Sequence, residues 1–211
     1  MTIIDKNCIL VALDSLNYVK LDLGSGPTKK DPYSITIDIL DYPEVDIVGD
    51  VFDILASFPA NSVDEICTSH FLEHVVDLSR ILAEIARVLK PNGVLDVVVP
   101  HFSNPYYYSD SSHKTSFGLY TFNYYAVNEL KMSREVPMYK RRPEFALLSL
   151  RLEFRTTPKF LFRRLLKKIL THIVNLNTYT LELYEEIFCY LFPCYEICYR
   201  LRRIDYRCAE I

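Results

Sequence analysis

The sequence predicts an α/β fold: a doubly wound, mostly parallel sheet followed by a helical C-terminal extension. Three features predict it: short apolar runs that each stop at a glycine or an acid, one strongly amphipathic helix, and an uninterrupted apolar run just after that helix. With 211 residues and 50% apolar content the chain can bury one full-sized core and carry an appendage, and disorder is excluded for most of its length. The pattern divides it into a domain over 1–157 and an extension over 158–211.

Residues 18–23 read as a first strand, halted by Gly24-Ser25-Gly26-Pro27. Residues 34–37 form a second that ends at Asp38, 45–48 a third that ends at Gly49-Asp50, and 62–67 a fourth that ends near Ser69-His70. Over 78–89 the residues Leu78, Ile81, Leu82, Ile85, Val88 and Leu89 recur at helical spacing, while Arg80, Glu84 and Arg87 face away. Pro91-Asn92-Gly93 breaks that helix, and 94–99 is apolar enough for a strand buried on both faces. One more strand is expected around 147–154, and the chain turns helical beyond Pro158. In a parallel sheet the strand C-termini share one edge, so the glycine turn, Asp22, Asp38 and Asp50 converge on one crevice.

The formal net charge of −3 hides an asymmetry: residues 1–100 hold 7 basic and 16 acidic residues, whereas 101–211 hold 17 basic and 11 acidic. A basic C-terminal half suits either an ordinary solvated face or an anionic partner, a phosphate group or a membrane surface. The N-terminus has no basic start, and its apolar run over 8–13 is short for a signal peptide. No stretch supplies the roughly 20 apolar residues of a spanning helix. A cytoplasmic protein is expected, with Cys8, Cys67, Cys189, Cys194, Cys198 and Cys208 as structural thiols rather than a metal or disulfide set.

Gly24 and Gly26 let the backbone approach a ligand where a Cβ would clash. A dinucleotide fold would place a third glycine where Lys29 stands, and Asp22 would repel a pyrophosphate. A carboxylate there suits a ligand bearing an amino group and a cation. Asp38 is placed for both hydroxyls of a ribose and Asp50 for an exocyclic amine, although each acid alone also reads as a cap or turn residue.

Asp22-Leu-Gly-Ser-Gly, Asp38, Gly49-Asp50 and the run from Phe71-Leu-Glu-His-Val75 to Arg87-Val-Leu-Lys-Pro-Asn-Gly93 resemble the class I S-adenosylmethionine-dependent methyltransferases, over roughly residues 18–100. The resemblance implies a Rossmann-like fold in which Asp22, Gly24, Ser25 and Gly26 hold the methionine end of S-adenosyl-L-methionine. It also implies that Asp38 holds the ribose, that Asp50 and Val51 lie by the adenine, and that Ser69 and His70 line the methyl side. Pro27 in place of a further glycine, a short first crossover, and Asn92 in place of a turn glycine are departures that remove no cofactor contact.

The segment from His101-Phe-Ser-Asn-Pro-Tyr-Tyr-Tyr-Ser-Asp110 through His113-Lys114 and Phe117-Gly118, with Tyr184-Glu185 and Phe192-Pro193, is similar to small methyltransferases encoded among surface-polysaccharide biosynthesis genes. That similarity implies a sugar or lipid-linked saccharide acceptor. A methyltransferase of another small molecule and a non-catalytic or nucleotide-binding module are the alternatives.

Methyl transfer from a sulfonium to a hydroxyl is an in-line displacement to which alignment contributes up to about 7–11 kcal/mol. The acceptor must also lose a proton. His113, with Asp110 three residues before it, ranks first as the base and His101 second, while His70 and His74 sit at the fourth-strand edge. Only Asp110 and Asn104 are near in sequence, so no metal is expected. The aromatic residues from Tyr106 to Tyr125 suit an acceptor platform, with part of them in the core. No nucleic-acid partner is expected, because the fourth strand lacks an Asn-Pro-Pro-Tyr type motif and the basic residues lack aromatic interleaving.

Over 159–174, Phe162, Leu165, Leu166, Ile169, Leu170 and Ile173 share a helix face opposite Arg163, Arg164, Lys167 and Lys168. That face either packs, on the sheet or on a partner subunit with residues 181–201 as a cover, or lies in the interface of an anionic bilayer as a peripheral contact.

Overall fold

Branched and aromatic residues at alternate positions favour strands wherever a glycine or an acid can end the run. In the computed structural model, which describes residues 2–137, 143–155 and 161–205, the strands are β1 (Ile4–Asp5), β2 (Lys20–Leu23), β3 (Ile35–Asp38), β4 (Ile47–Val48), β5 (Val63–Ser69), β6 (Leu89–Pro100), β7 (Ala126–Asn128), β8 (Phe145–Glu153) and β9 (Glu196–Arg203). They form one sheet in the order β1-β4-β3-β2-β5-β6-β9-β8-β7. Strands β4, β3, β2, β5 and β6 are parallel, as are β7 and β8, whereas β1 is antiparallel to β4 and β9 to both its neighbours. The α/β architecture with a mostly parallel sheet is therefore the observed one.

The helices are α1 (Ile9–Ala12), α2 (Val51–Ser57), α3 (Leu78–Val88), α4 (Leu161–Val174) and α5 (Thr178–Leu183). Asp77 caps α3 by accepting from Arg80 N–H at 2.9 Å, and Leu78, Ile81, Leu82, Ile85, Ala86 and Val88 face the core as their spacing requires. The crossover over 24–34 contains turns and no helix. The described cysteines are free thiols.

From Leu161 the chain is helical through α4, α5 and a π turn at Tyr184–Phe188, but the expected helical extension is then interrupted. Glu196–Arg203 returns as β9 and enters the sheet between β6 and β8. Ile197, Tyr199 and Leu201 are buried while Arg200 between them is exposed, a strand period that wins because the edge of β6 would otherwise lack partners. The boundary at 157/158 and the start of the helix predicted from Lys159 fall in 156–160, and Cys208 in 206–211, outside the described residues.

Arg87, in the last turn of α3, donates from Nη1 to Phe58 O at 2.9 Å and from Nη2 to Leu55 O at 2.7 Å, and pairs with Glu84. It thereby satisfies two carbonyls at the end of α2, an element that carries one of the crevice acids as its cap. Arg87→Ala is expected to destabilise the fold by about 1–3 kcal/mol. Urea denaturation checks this, and a midpoint equal to that of the unmodified chain would contradict it.

Candidate active site

From β2 the strands step outward through β3 and β4, and the chain then returns to β5 and β6 on the other side of β2. At such a reversal the connections leave in opposite directions and a crevice opens at the strand C-termini. Along that edge lie Gly24-Ser25-Gly26 after β2, Asp38 ending β3, Asp50 after β4, Ser69-His70 at the end of β5 and His101 after β6. At a strand spacing of about 4.8 Å, the stretch from β4 to β5 spans about 14 Å, enough to hold an extended ligand at several separate points.

Gly24 has φ +68° and Gly26 φ +65°, the left-handed region that favours glycine. A Cβ on Gly24 would lie 2.6 Å from Phe71 Cβ, so the β2 turn and the chain after β5 are in direct contact. At Gly26 nothing lies within 4 Å, and the turn faces open space. Gly26 N–H donates to Asp38 Oδ2 at 2.8 Å and Leu40 N–H to Oδ1 at 2.9 Å, which fixes this carboxylate with a lone pair left on each oxygen. Asp22 is buried, and burial raises its carboxyl pKa. Asp50 caps α2 through Oδ1, 2.9 Å from Phe52 N, and Val51 opens that helix half-buried.

Two buried hydroxyls, Ser25 Oγ and Thr68 Oγ1, have no hydrogen-bond partner. Such groups cost about 1–3 kcal/mol each when unpaired, and a polar ligand in the crevice fits them. Thr68 sits one residue before the end of β5 and carries no motif by which sequence could single it out.

The histidines differ by their partners. His70 has φ +58°, strained for a residue with a Cβ, directly after β5. Its Nε2 lies 3.2 Å from Glu196 Oε2 and its Nδ1 3.4 Å from Glu73 Oε1. The bond to Glu196 and then that to Glu73 raise its pKa to about 9, so at neutral pH it is a cation and no proton acceptor. Glu196 also pairs with Arg155.

His101 is 0% exposed, and Ser103 N–H donates to its Nδ1 at 3.1 Å. Its Nε2 therefore carries the hydrogen and donates to Glu185 Oε2 at 3.0 Å. With no free lone pair it positions Glu185, which corrects its expected role as second-ranked base. His113 Nδ1 can only donate to the carbonyl of Tyr107, at 2.8 Å, so in the neutral ring Nε2 bears the lone pair, 3.7 Å from Asp110 Oδ2. The sequence reading gave Glu73, Glu185 and Glu196 no role as histidine partners; for the latter two the separation hides it, since His101 and Glu185 are 84 residues apart and His70 and Glu196 are 126 apart.

The aromatic segment divides, with Tyr107, Phe117 and Phe122 in the core and Tyr106 and Tyr108 exposed. Tyr106 lines a cleft of about 830 Å³ between the 104–106 loop and α4, together with Arg155, Arg163, Lys167, Leu166 and Phe192. Among the described residues no carboxylate lines it. Burial, and to a lesser degree neighbouring Arg163, lowers the pKa of Lys167.

The contrast between the two glycines is testable by urea denaturation. Gly24→Ala is expected to lose about 1–2 kcal/mol for its left-handed backbone and a further 1–3 kcal/mol for the collision with Phe71. Gly26→Ala should lose only the first contribution, and equal losses would contradict the packing at Gly24.

Residues 16–97 match the family described as Methyltransferase domain. No curated protein matches the sequence. The structure is similar to that of an S-adenosylmethionine-dependent methyltransferase from Archaeoglobus fulgidus, at 16% identity over 92% of this chain and 93% of that one, with a TM-score of 0.52. A proposed methyltransferase from Bacillus halodurans C-125 matches at 16% identity over 93% of this chain and 99% of that one, also with a TM-score of 0.52. At these identities the likeness establishes the fold alone. The family match falls on the strands that carry the glycine turn and the three acids, so this part of the chain is similar to a methyltransferase domain.

Proposed function

We propose that the chain methylates a hydroxyl of a lipid-linked saccharide at the cytoplasmic face of a membrane, as a step in polysaccharide biosynthesis. The cleft beside α4 carries this reading. Arg155, Arg163 and Lys167 set among Tyr106, Leu166 and Phe192 match an acceptor that combines phosphate, sugar and hydrocarbon.

In this proposal Asp22, Gly24, Ser25 and Gly26 hold the methionine end of the cofactor, Asp38 the ribose, Asp50 and Val51 the adenine, and Ser69 and His70 the methyl side. The bound cofactor supplies a methyl group on a sulfonium. At this site Nε2 of His113 would accept the proton that the acceptor hydroxyl gives up as its oxygen is methylated.

The orientation of α4 supports the membrane. Thr171 and Val174 are buried and Lys167 is half-buried, whereas Leu161, Phe162, Leu165, Leu166, Ile169 and Ile173 are exposed, Phe162 by 79%. Residues 181–201 do not cover these side chains, and Ile187, Tyr190 and Leu191 are themselves exposed. An uncovered apolar face flanked by Arg163, Arg164 and Lys168 suits a helix lying in an anionic bilayer interface. No helix among the described residues is long and apolar enough to cross a membrane.

Calorimetry with S-adenosylhomocysteine tests the cofactor site: Asp38→Ala is expected to weaken binding at least tenfold, and a preference for NAD would overturn the assignment. With labelled cofactor and cell-envelope glycolipid extracts, label is expected in the lipid-linked saccharides. In that assay His113→Asn should lower kcat by about 10²–10⁴ and leave the affinity for S-adenosylhomocysteine unchanged. For the membrane, the protein is expected to float with anionic vesicles at low salt and to release at high salt. Unaltered flotation after Arg163, Arg164, Lys167 and Lys168 are all changed to Gln would remove the basic residues from any lipid role.

A further inference from the structure

We propose that Glu73, His74 and His113 form a binding site for a first-row divalent transition-metal ion. One carboxylate oxygen of Glu73 and one ring nitrogen from each histidine lie within 4.8 Å of one another. Ligands at about 2.0–2.2 Å from a common tetrahedral ion lie about 3.4 Å from one another, so on binding the side chains of the group would close by up to about 1.4 Å.

An independent observation points to the same place. Glu73 is 1% exposed, and its Oε2 has no hydrogen-bond partner, while Oε1 faces His70. An unpaired carboxylate oxygen in the interior is costly, and a cation beside it removes that cost.

The surrounding hydrogen bonds prepare both rings for ligation. The Nδ1–H of His113 is held by the carbonyl of Tyr107, which leaves Nε2 with the lone pair. The hydroxyl of Ser112 donates to Asp110 Oδ1 at 2.5 Å, so its oxygen accepts from Nδ1–H of His74 at 2.9 Å, and the lone pair of His74 is again on Nε2. Outer partners that fix the tautomer of both imidazoles in this way are what metal-binding histidines use. Asp110 Oδ2, 3.7 Å from Nε2 of His113, stands where a fourth ligand can join.

The two loops are also tied together. Lys114 and Thr115 N–H donate to the carbonyl of Glu73 at 2.7 and 3.1 Å, and Thr115 Oγ1 donates to Val75 O at 3.0 Å. His74 is exposed, His113 half-buried and Glu73 buried, so the group opens to solvent on the side of His74. Two imidazoles with carboxylate favour Zn²⁺ or Mn²⁺ over Mg²⁺ and Ca²⁺, which prefer all-oxygen sets.

Binding of the ion does not rest on the methyl-transfer proposal. An ion held there would occupy the Nε2 lone pair of His113 that the proposed methyl transfer uses as its base, so the two uses of that nitrogen exclude one another.

The test uses the full chain, stripped of metal by a chelator, without cofactor. Calorimetry with ZnCl₂ or MnCl₂ is expected to give one ion per chain, and CoCl₂ to give a visible ligand-field band. His74→Ala and His113→Ala should each weaken binding at least tenfold and abolish the band, whereas His172→Ala, on the exposed side of α4, should change neither. Because His74 is exposed, its replacement leaves the fold intact, which circular dichroism verifies. Absence of stoichiometric Zn²⁺ and Mn²⁺ binding, or a His74→Ala variant that binds as the parent does, overturns the site. Equal affinity for Mg²⁺ overturns the assignment to a transition metal. Metal binding is read without cofactor and S-adenosylhomocysteine binding without metal, so failure of either proposal is seen separately.

Discussion

The rest of the molecule depends on the pairing of β9 with β6. That ladder runs from Val94 opposite Arg202 to Pro100 opposite Glu196. A parallel series that stopped at β6 would expose a row of unpaired N–H and C=O groups, and β9 both covers it and offers its other edge to β8. The register places Glu196 beside the end of β6, from where its carboxylate reaches His70 at the end of β5. The chain leading into β9 brings Glu185 to His101. A slip of one residue would turn Glu196 to the other face of the sheet, so the distant end of the chain sets the electrostatics of the crevice.

Partners, not intrinsic basicity, separate the histidines. His70 lies between two buried carboxylates, and Glu196 in turn lies between His70 and Arg155, so a buried anion is balanced by cations on both sides. His101 spends both ring nitrogens on internal partners and transmits the position of the π turn to the sheet edge. His74 and His113 point their hydrogens at a hydroxyl and a carbonyl, and keep their lone pairs for something else. The unpartnered oxygen of Glu73 beside them is the complementary half of the same electrostatic demand.

Local signals made the crevice legible in the sequence. Each strand from β2 to β4 ends in a glycine or an acid, and those residues need no distant partner to be recognised, because sheet geometry alone aligns them. The helix α3 was legible for the same reason, its apolar spacing being a property of eleven consecutive residues. What stayed hidden depends on contacts across the chain. Glu73-His74 and His113 are joined by the fold alone, and the alternation Ile197, Tyr199, Leu201 was present but submerged in an apolar stretch that also suits a helix. The burial of His101 was equally unreadable, because it depends on Glu185 and on Ser103, whose Oγ accepts from Cys194 N–H.

Helical periodicity says which residues of α4 share a face, and not which face turns inward. The contacts decide that point. Asn175, just past the helix, donates from Nδ2 to Leu152 O at 2.7 Å and accepts from Leu152 N–H at 2.8 Å, as a neighbouring strand would. Thr171 accepts from Phe154 N–H, and Lys167 donates to Arg155 O. The helix is thus docked beside β8 by polar groups together with Val174 and Leu170, while Leu161, Phe162, Leu165, Ile169 and Ile173 are exposed. Turning that face inward would gain about 1.5–3 kcal/mol for each large apolar side chain buried. An inverted helix held by hydrogen bonds leaves its apolar face for an outer apolar surface, which is the property on which the proposed bilayer contact rests, and the cleft beside it is lined by Arg163 and Lys167.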